Sequence, residues 1–267
     1  MSLVLRRFYN GLLWLTLILG SELANASEAI TISVFEDHER YVLASDSYGL
    51  SWQILEAAAK RSGIQLQTQE SSWRASMNRI QAHRVDMVFA ALKTEERSQW
   101  ANFTVPLIAE GSGIFTRPDN PVTTFEQIDL KNSVIGVSLN SLQETIARDL
   151  GFENIYSTVQ RPQLYDMLNR NRVDYLFFGK SIIRYYCVYF DESRNPECMK
   201  QVGELYYPNN VHALVHKENE KANKVLAELN KNIIAFSGSK ETKKLFESYD
   251  FPHEIYDAWL LMLNSAK

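Results

Sequence analysis

Apolar and polar positions along this chain follow two periods in turn. Residues 30–35 set apolar against small polar side chains at every second position, the spacing of a half-buried strand. From 49 to 62 the period lengthens: Leu50, Ile54, Leu55, Ala58 and Ala59 recur three and four apart, predicting a helix that Gly63 ends. The segment 37–40 between them reads as a loop. Residues 64–68 read as a second strand, 72–83 as a second helix with Trp73, Met77 and Ile80 inward, and 87–91 as a buried third strand. Strand and helix alternating in this way begin a doubly wound α/β unit. After a strand at 111–117 and a proline-rich joint at 118–121, the alternation repeats. Strands are predicted at 134–137, 155–158, 173–178 and 202–206, with helices at 141–150, 162–169 and 180–189. Ser141 and Glu144 stand at capping-box spacing at the start of the first of these helices. Residues 211–216 alternate as a further strand, and helical periodicity covers 219–236 and 239–249.

The N-terminus reads as an address. Arg6 and Arg7 precede an apolar stretch at 12–19, too short for an ordinary membrane span of roughly 20 residues. Ala24-Asn25-Ala26 is a small-x-small cleavage site, so residues 1–26 are expected to be a signal peptide and the mature chain to begin at Ser27, exported to the periplasm. The formal charge is −4, and a leader carrying two arginines and Glu22 leaves the mature chain near −5. That mild acidity argues against a nucleic-acid partner, which wants a basic face. Two cysteines, Cys187 and Cys198, favour a disulfide over free thiols in an exported protein. On the chain-entropy account a loop of that length is worth roughly 2–3 kcal/mol.

The richest motif is the run from Arg84 to Arg97, closing at Phe103-Thr104-Val105-Pro106. A buried strand ends in a turn that carries Thr94 and Arg97 beyond its carboxyl end, where open α/β sheets bind small ligands. A guanidinium there can hold a carboxylate through two parallel hydrogen bonds; a surface pair of Arg97 with Glu95 or Glu96 is the plain alternative. The run resembles the signature of the family 3 periplasmic solute-binding proteins, the amino-acid-type binding subunits of ABC importers. Gly49-Leu50, Ser72-Trp73, Val85-Asp86, Ile135-Gly136-Val137, Arg172-Val173-Asp174 and Gly203-Glu204 extend the resemblance, in order, over essentially the whole mature chain. The resemblance implies an α/β fold of two lobes, each a sheet flanked by helices, joined by two hinge crossings. Lobe 1 would comprise 27–116 and 211–267, and lobe 2 residues 117–210.

The resemblance also implies a site in the cleft between the lobes. Arg97 and Thr94 match the family's grip on the ligand carboxylate, with Ala91 and Leu92 offering backbone groups. Asn140 and Ser141 occupy the lobe 2 turn, where unpaired N–H groups at a helix start suit an anion; a plain N-cap is the alternative reading of Ser141. Typical amino-acid binders place an aspartate for the ligand ammonium five residues after Asp174. Here that position is Gly179, followed by Lys180, which either faces the cleft and repels an ammonium or starts a helix and points to water. Phe35, Trp73 and Tyr207 are candidate cleft aromatics, with core packing the alternative. No catalytic motif, metal-ligand spacing or cofactor-binding turn stands out, and His212 and His216 are too far apart on a strand to share a metal. The expected function is capture of a small carboxylate-bearing solute by a monomer, for an ABC permease or a membrane receptor, without metal or cofactor. An enzyme on the same fold, similar to a cyclohexadienyl dehydratase, would need a cleft acid such as Glu36, Asp37 or Glu110.

Overall fold

The computed structural model describes residues 28–191, 195, 198–249 and 251–265, with the backbone alone at 207–209. The expected signal peptide and the side chain of Tyr207 therefore lie outside the described residues. In chain order the elements are β1 (Glu28–Val34), α1 (His38–Ala44), α2 (Asp46–Arg61), β2 (Ile64–Glu70), α3 (Trp73–Gln81), β3 (Met87–Leu92), α4 (Glu95–Trp100), β4 (Ala101–Phe103) and β5 (Ile108–Thr116). They continue with β6 (Val134–Ser138), α5 (Leu142–Asp149), β7 (Asn154–Thr158), α6 (Arg161–Asn169), β8 (Tyr175–Gly179), α7 (Lys180–Tyr189), β9 (Lys200–His216), α8 (Glu220–Phe236), α9 (Lys240–Ser248) and α10 (His253–Ser265).

Each half of the molecule is built on the same local rule. β1 lies between β2 and β3, all parallel; β6 lies between β7 and β8, also parallel. The repeated Val-Asp pair explains how the third strand of each half is fixed to the first. Asp86 accepts hydrogen bonds from the Thr31 amide at 2.9 Å and the Thr31 hydroxyl at 2.8 Å, and Asp174 accepts from the Val134 amide at 2.8 Å. Two strands then tie the halves together. β9 pairs with β3 and β4 at its C-terminal end and with β5 along most of its length, and β5 pairs with β8 from Ser112 onward. β5 thus runs beside β9 over most of its length and reaches β8 ahead of the proline-rich joint. The two strands predicted at 202–206 and 211–216 are one strand, irregular opposite Gly111–Ile114, so a bend had the look of a gap.

The helices differ from expectation at two places. Residues 37–40 do not form a loop: α1 begins at His38, with Asp37 in the left-handed region at φ 60°, and buries His38, Tyr41 and Ala44 three apart. Ser45 then caps α2, accepting a hydrogen bond from the Tyr48 amide. The chain also carries a last helix, α10, whose Trp259 is fully buried and donates to the Pro106 carbonyl at 2.8 Å. The main core packs α2, α8 and α10 against β1, β3 and β9, and a second cluster around Ile135, Val137, Phe177 and Val202 fills the outer face of the other half.

Cys187, at the end of α7, is disulfide-bonded to Cys198. Replacing both by serine, read by thermal unfolding, is expected to cost about 2–3 kcal/mol, or roughly 4–12 °C in Tm for a chain of this size. Two buried histidines add a pH dependence. Burial pushes His38 and His212 down to about 4 from an ordinary value of 6.5. His212 Nδ1 donates to the Thr104 carbonyl at 2.7 Å, and His38 Nδ1 lies 2.9 Å from the Tyr48 hydroxyl. Between pH 6.5 and 4 the unfolded chain binds the protons that the folded one refuses. Their contribution is therefore complete above pH 6.5 and is lost as pH falls toward 4, by up to about 1.4 kcal/mol per pH unit for each. Denaturant titrations across that range check the slope; Tyr48→Phe should alter the His38 share without touching that of His212.

Candidate functional site

A cavity lies where the two halves meet, lined from both. The side of β1–β4 contributes Phe35, Tyr48, Trp73, Ala90, Leu92 and Arg97; the opposite side contributes Ser138, Ser141, Leu142, Gln143, Arg161 and Ser181. Glu110 and Ser112 enter from β5, the crossing strand, with Phe178 and Gly179 at the end of β8.

Arg97 owes its place to Thr94. The Thr94 hydroxyl accepts from the Arg97 amide at 3.1 Å, capping α4 one turn after β3 and turning the arginine back toward the strand end. The guanidinium donates to the Leu92 carbonyl at 2.8 Å and lies 4.9 Å over the Trp73 ring. Arg97 is 7 % exposed, and burial lowers its pKa to about 10, which leaves it charged at neutral pH. Ahead of it β3 carries a bulge: Val88 pairs with Leu214 and Ala91 with His212, and Ala90 between them has φ 58°. The extra residue turns Ala90 into the cavity and leaves Ala91 fully buried behind it.

The second half closes from above. Ser141 caps α5, accepting from the Glu144 amide at 3.2 Å, while Glu144 reaches back to the Asn140 amide at 2.6 Å, one residue before the usual partner in a capping box. Asn140, at φ 60°, turns its carbonyl outward to accept from Trp73 Nε1 at 3.1 Å, a bond between the halves. Further contacts across the cleft are the stacked rings of Tyr41 and Tyr185 at 3.7 Å, Tyr185 donating to Asp37 at 2.6 Å, and the Arg184–Asp46 ion pair at 2.6 Å. The two halves are thus in direct contact around the cavity.

Several expected site residues take other places. Thr94 positions Arg97 without lining the cavity, Ala91 faces the core, and Asn140 works as a latch between the halves. Lys180 is exposed at the first position of α7 and is not among the residues lining this cavity. Arg97, Leu92, Ser141, Phe35 and Trp73 do meet around the cavity. Three lining residues carry chemistry that the sequence reading did not assign to a ligand. Arg161 lies 4.0 Å over the Phe35 ring and donates to Ser138 Oγ at 2.9 Å. Gln143 donates to Ser112 Oγ at 2.8 Å. Glu110 accepts from the Ser181 amide at 2.9 Å; burial pushes its carboxyl above the usual range, partly offset by Ser181 and Arg161.

Away from the cleft, His216 is not isolated from other ligand types: His83 and Glu218 each bring a ligand atom near it, all within 4.8 Å of one another. His216 Nδ1 accepts from the Glu218 amide at 3.2 Å. No helix among the described residues is long and apolar enough to cross a membrane.

The family profile of the bacterial extracellular solute-binding proteins, family 3, matches residues 35–253. The arginine-binding extracellular protein ArtP of Bacillus subtilis (strain 168) is 24% identical over 127 residues, 47% of this chain and 49% of that protein, so the chain spans about half its length. A solved arginine 3rd transport system periplasmic binding protein of Legionella pneumophila superposes with a TM-score of 0.69 at 15% identity, covering 84% of this chain and 100% of that one. A histidine kinase sensor domain similar to periplasmic binding proteins also has a TM-score of 0.69 at 15% identity, covering 83% and 95%. These two likenesses bear on the fold, which is the two-lobed one.

Proposed function

The chain belongs to family 3 of the bacterial extracellular solute-binding proteins, and from that premise we propose that it captures an amino acid in the cleft between its lobes and presents the closed complex to an ABC permease. The observation that carries this reading is Arg97: a buried guanidinium beyond the carboxyl end of β3, stacked on Trp73, with the Leu92 carbonyl its one hydrogen-bond acceptor among the described residues. Its remaining donors suit a ligand carboxylate held by two parallel bonds.

Ser141, Gln143 and the start of α5 come down on the ligand from the second lobe. Closure then depends on contacts that form only when the lobes meet: Trp73 with Asn140, Tyr185 with Asp37, and Arg184 with Asp46. A ligand bridging both sides of the cavity favours the closed form by its differential affinity for it. The hinge in this reading is the stretch where β5 and β9 run side by side between the lobes, near Gly111 and Pro208. The relatives named as arginine- and histidine-binding proteins make an amino acid the first class to test. Export through a cleaved signal peptide fits the family description, and delivery to a permease is the partner role this reading assigns.

Trp73 makes the reading testable without a label, because its indole lines the cavity and bonds to the other lobe. Titrating the purified protein with single amino acids while recording tryptophan emission is expected to give a saturable change for one class of them. A Trp73→Phe variant that still binds by calorimetry should lose most of that change. Emission that responds to no amino acid, together with calorimetric silence, would contradict the reading.

A further inference from the structure

The cavity holds more charge than a simple carboxylate grip requires. Arg97 reaches it from the first lobe and Arg161 from the second, each lying over an aromatic ring of the first lobe. Among the described residues neither guanidinium has a carboxylate within 4.0 Å. Arg161 spends one donor on Ser138 Oγ and lies beside the Tyr41 hydroxyl, and both of those partners are neutral. Enclosed charges are stable when they are paired, and with Glu110 lining the same cavity the two guanidiniums leave one positive charge in excess for a ligand to balance.

The third charged group is Glu110, and the geometry around it accounts for Gly179. A Cβ placed on Gly179 would come within 2.9 Å of Glu110 Oε1 and 3.0 Å of its carboxyl carbon. A side chain at 179 would therefore require the Glu110 carboxylate to move off the position it holds against the Ser181 amide. The carboxylate that amino-acid binders are expected to carry at the end of β8 is here supplied from β5, and Gly179 is the space it needs. The Ser181 amide, on the first turn of α7, holds one Glu110 oxygen at 2.9 Å and keeps the group at the cavity wall.

Resting on the reading that an amino acid binds this cleft, we infer that the ligand is an acidic α-amino acid: Arg97 takes the α-carboxylate, Arg161 the side-chain carboxylate and Glu110 the α-ammonium. The charges match group by group, two anions to two guanidiniums and one cation to one carboxylate. Phe35, Trp73, Leu142, Phe178 and Ile182 offer apolar walls for the short methylene chain between them. The same arrangement rejects the side chain of arginine or lysine, which would meet Arg161 instead of a carboxylate.

Calorimetric titration of the purified protein with L-glutamate, L-aspartate, L-glutamine, L-arginine and glutarate tests this. An acidic amino acid is expected to bind at least 100-fold more tightly than glutamine, and arginine not at all. Arg161→Gln should weaken the acidic ligand at least 30-fold while changing glutamine less than threefold, a selectivity that a merely misfolded variant would not show. Glu110→Gln should remove the preference for glutamate over glutarate, which lacks the ammonium. Tighter binding of glutamine or arginine than of either acidic amino acid would overturn the inference and leave the solute-binding reading standing. Silence toward every amino acid and carboxylate would overturn both.

Discussion

Replacing Arg97 by alanine is expected to abolish amino-acid binding while leaving the fold intact. The variant removes a pair of charge-assisted hydrogen bonds from a water-poor cleft, a loss of about 3–4 kcal/mol that raises Kd by a factor of roughly 10²–10³. The free protein should not pay for this. Arg97 is a charge held against desolvation with the Leu92 carbonyl and the Trp73 face as partners, and such a charge adds little to stability. Tm of the ligand-free variant should therefore match or slightly exceed that of the parent. Arg97→Lys separates charge from geometry: it keeps the positive charge, loses the planar fork, and should retain weak binding. Wild-type affinity in Arg97→Ala would remove the anchor of the binding reading, and a collapse of Tm in the unliganded variant would make the residue structural.

Gly49→Ala is expected to have the largest effect on stability of any small substitution in the chain. Gly49 lies in the first turn of α2, where α1 doubles back on it. A Cβ there would sit 2.3 Å from the Val42 carbonyl oxygen and 2.6 Å from the Tyr249 ring. The ring can move, but the carbonyl belongs to the backbone of α1 and cannot shift without moving the helix. Overpacking against a backbone atom costs about 3 kcal/mol, or roughly 6–12 °C in Tm for a chain of this size. The gain in helix propensity from glycine to alanine, about 1 kcal/mol, does not offset it. Because α1 also supplies Tyr41 to the stack with Tyr185, the damage should reach the cleft. Thermal unfolding with and without ligand checks both; a Tm within 2 °C of the parent would refute the close approach of the two helices.

The elements that were legible in the sequence are those whose apolar period and end signals agree. The helix at 180–189 follows a buried strand and begins at a break in apolar character, and α7 has those same ends. Ser141 was legible as a cap because hydroxyl and acid stand three apart. The helix at 38–44 was not, because Asp37-His38-Glu39-Arg40 is polar and its three buried residues make a stripe too short to reveal a period. β9 read as two strands because Pro208 and the bulged segment interrupt its alternation, which only pairing with β5 holds together.

The site divides in the same way. Arg97 was legible because a local turn aims it, and Phe35 and Trp73 because they flank predicted strand and helix ends. Arg161 was not, since its partner Phe35 lies 126 residues away in the other lobe, and nothing near Pro162 in sequence marks a ligand group. The approach of Glu110 to Gly179 was invisible for the same reason, because it depends on the register of β5 against β8 and β9. Lys180 then took on a meaning by adjacency that its exposed position on α7 does not support.

The most direct test of the account is a thermal-shift screen of the purified protein and its Arg97→Ala variant against the protein amino acids and small carboxylates. A ligand that binds only the folded state adds RT ln(1 + [L]/Kd), about 4 kcal/mol at a thousandfold excess over Kd. The account predicts a shift of several degrees or more for at least one amino acid, lost in the variant. A shift produced only by solutes without a carboxylate, or one undiminished in Arg97→Ala, would contradict it.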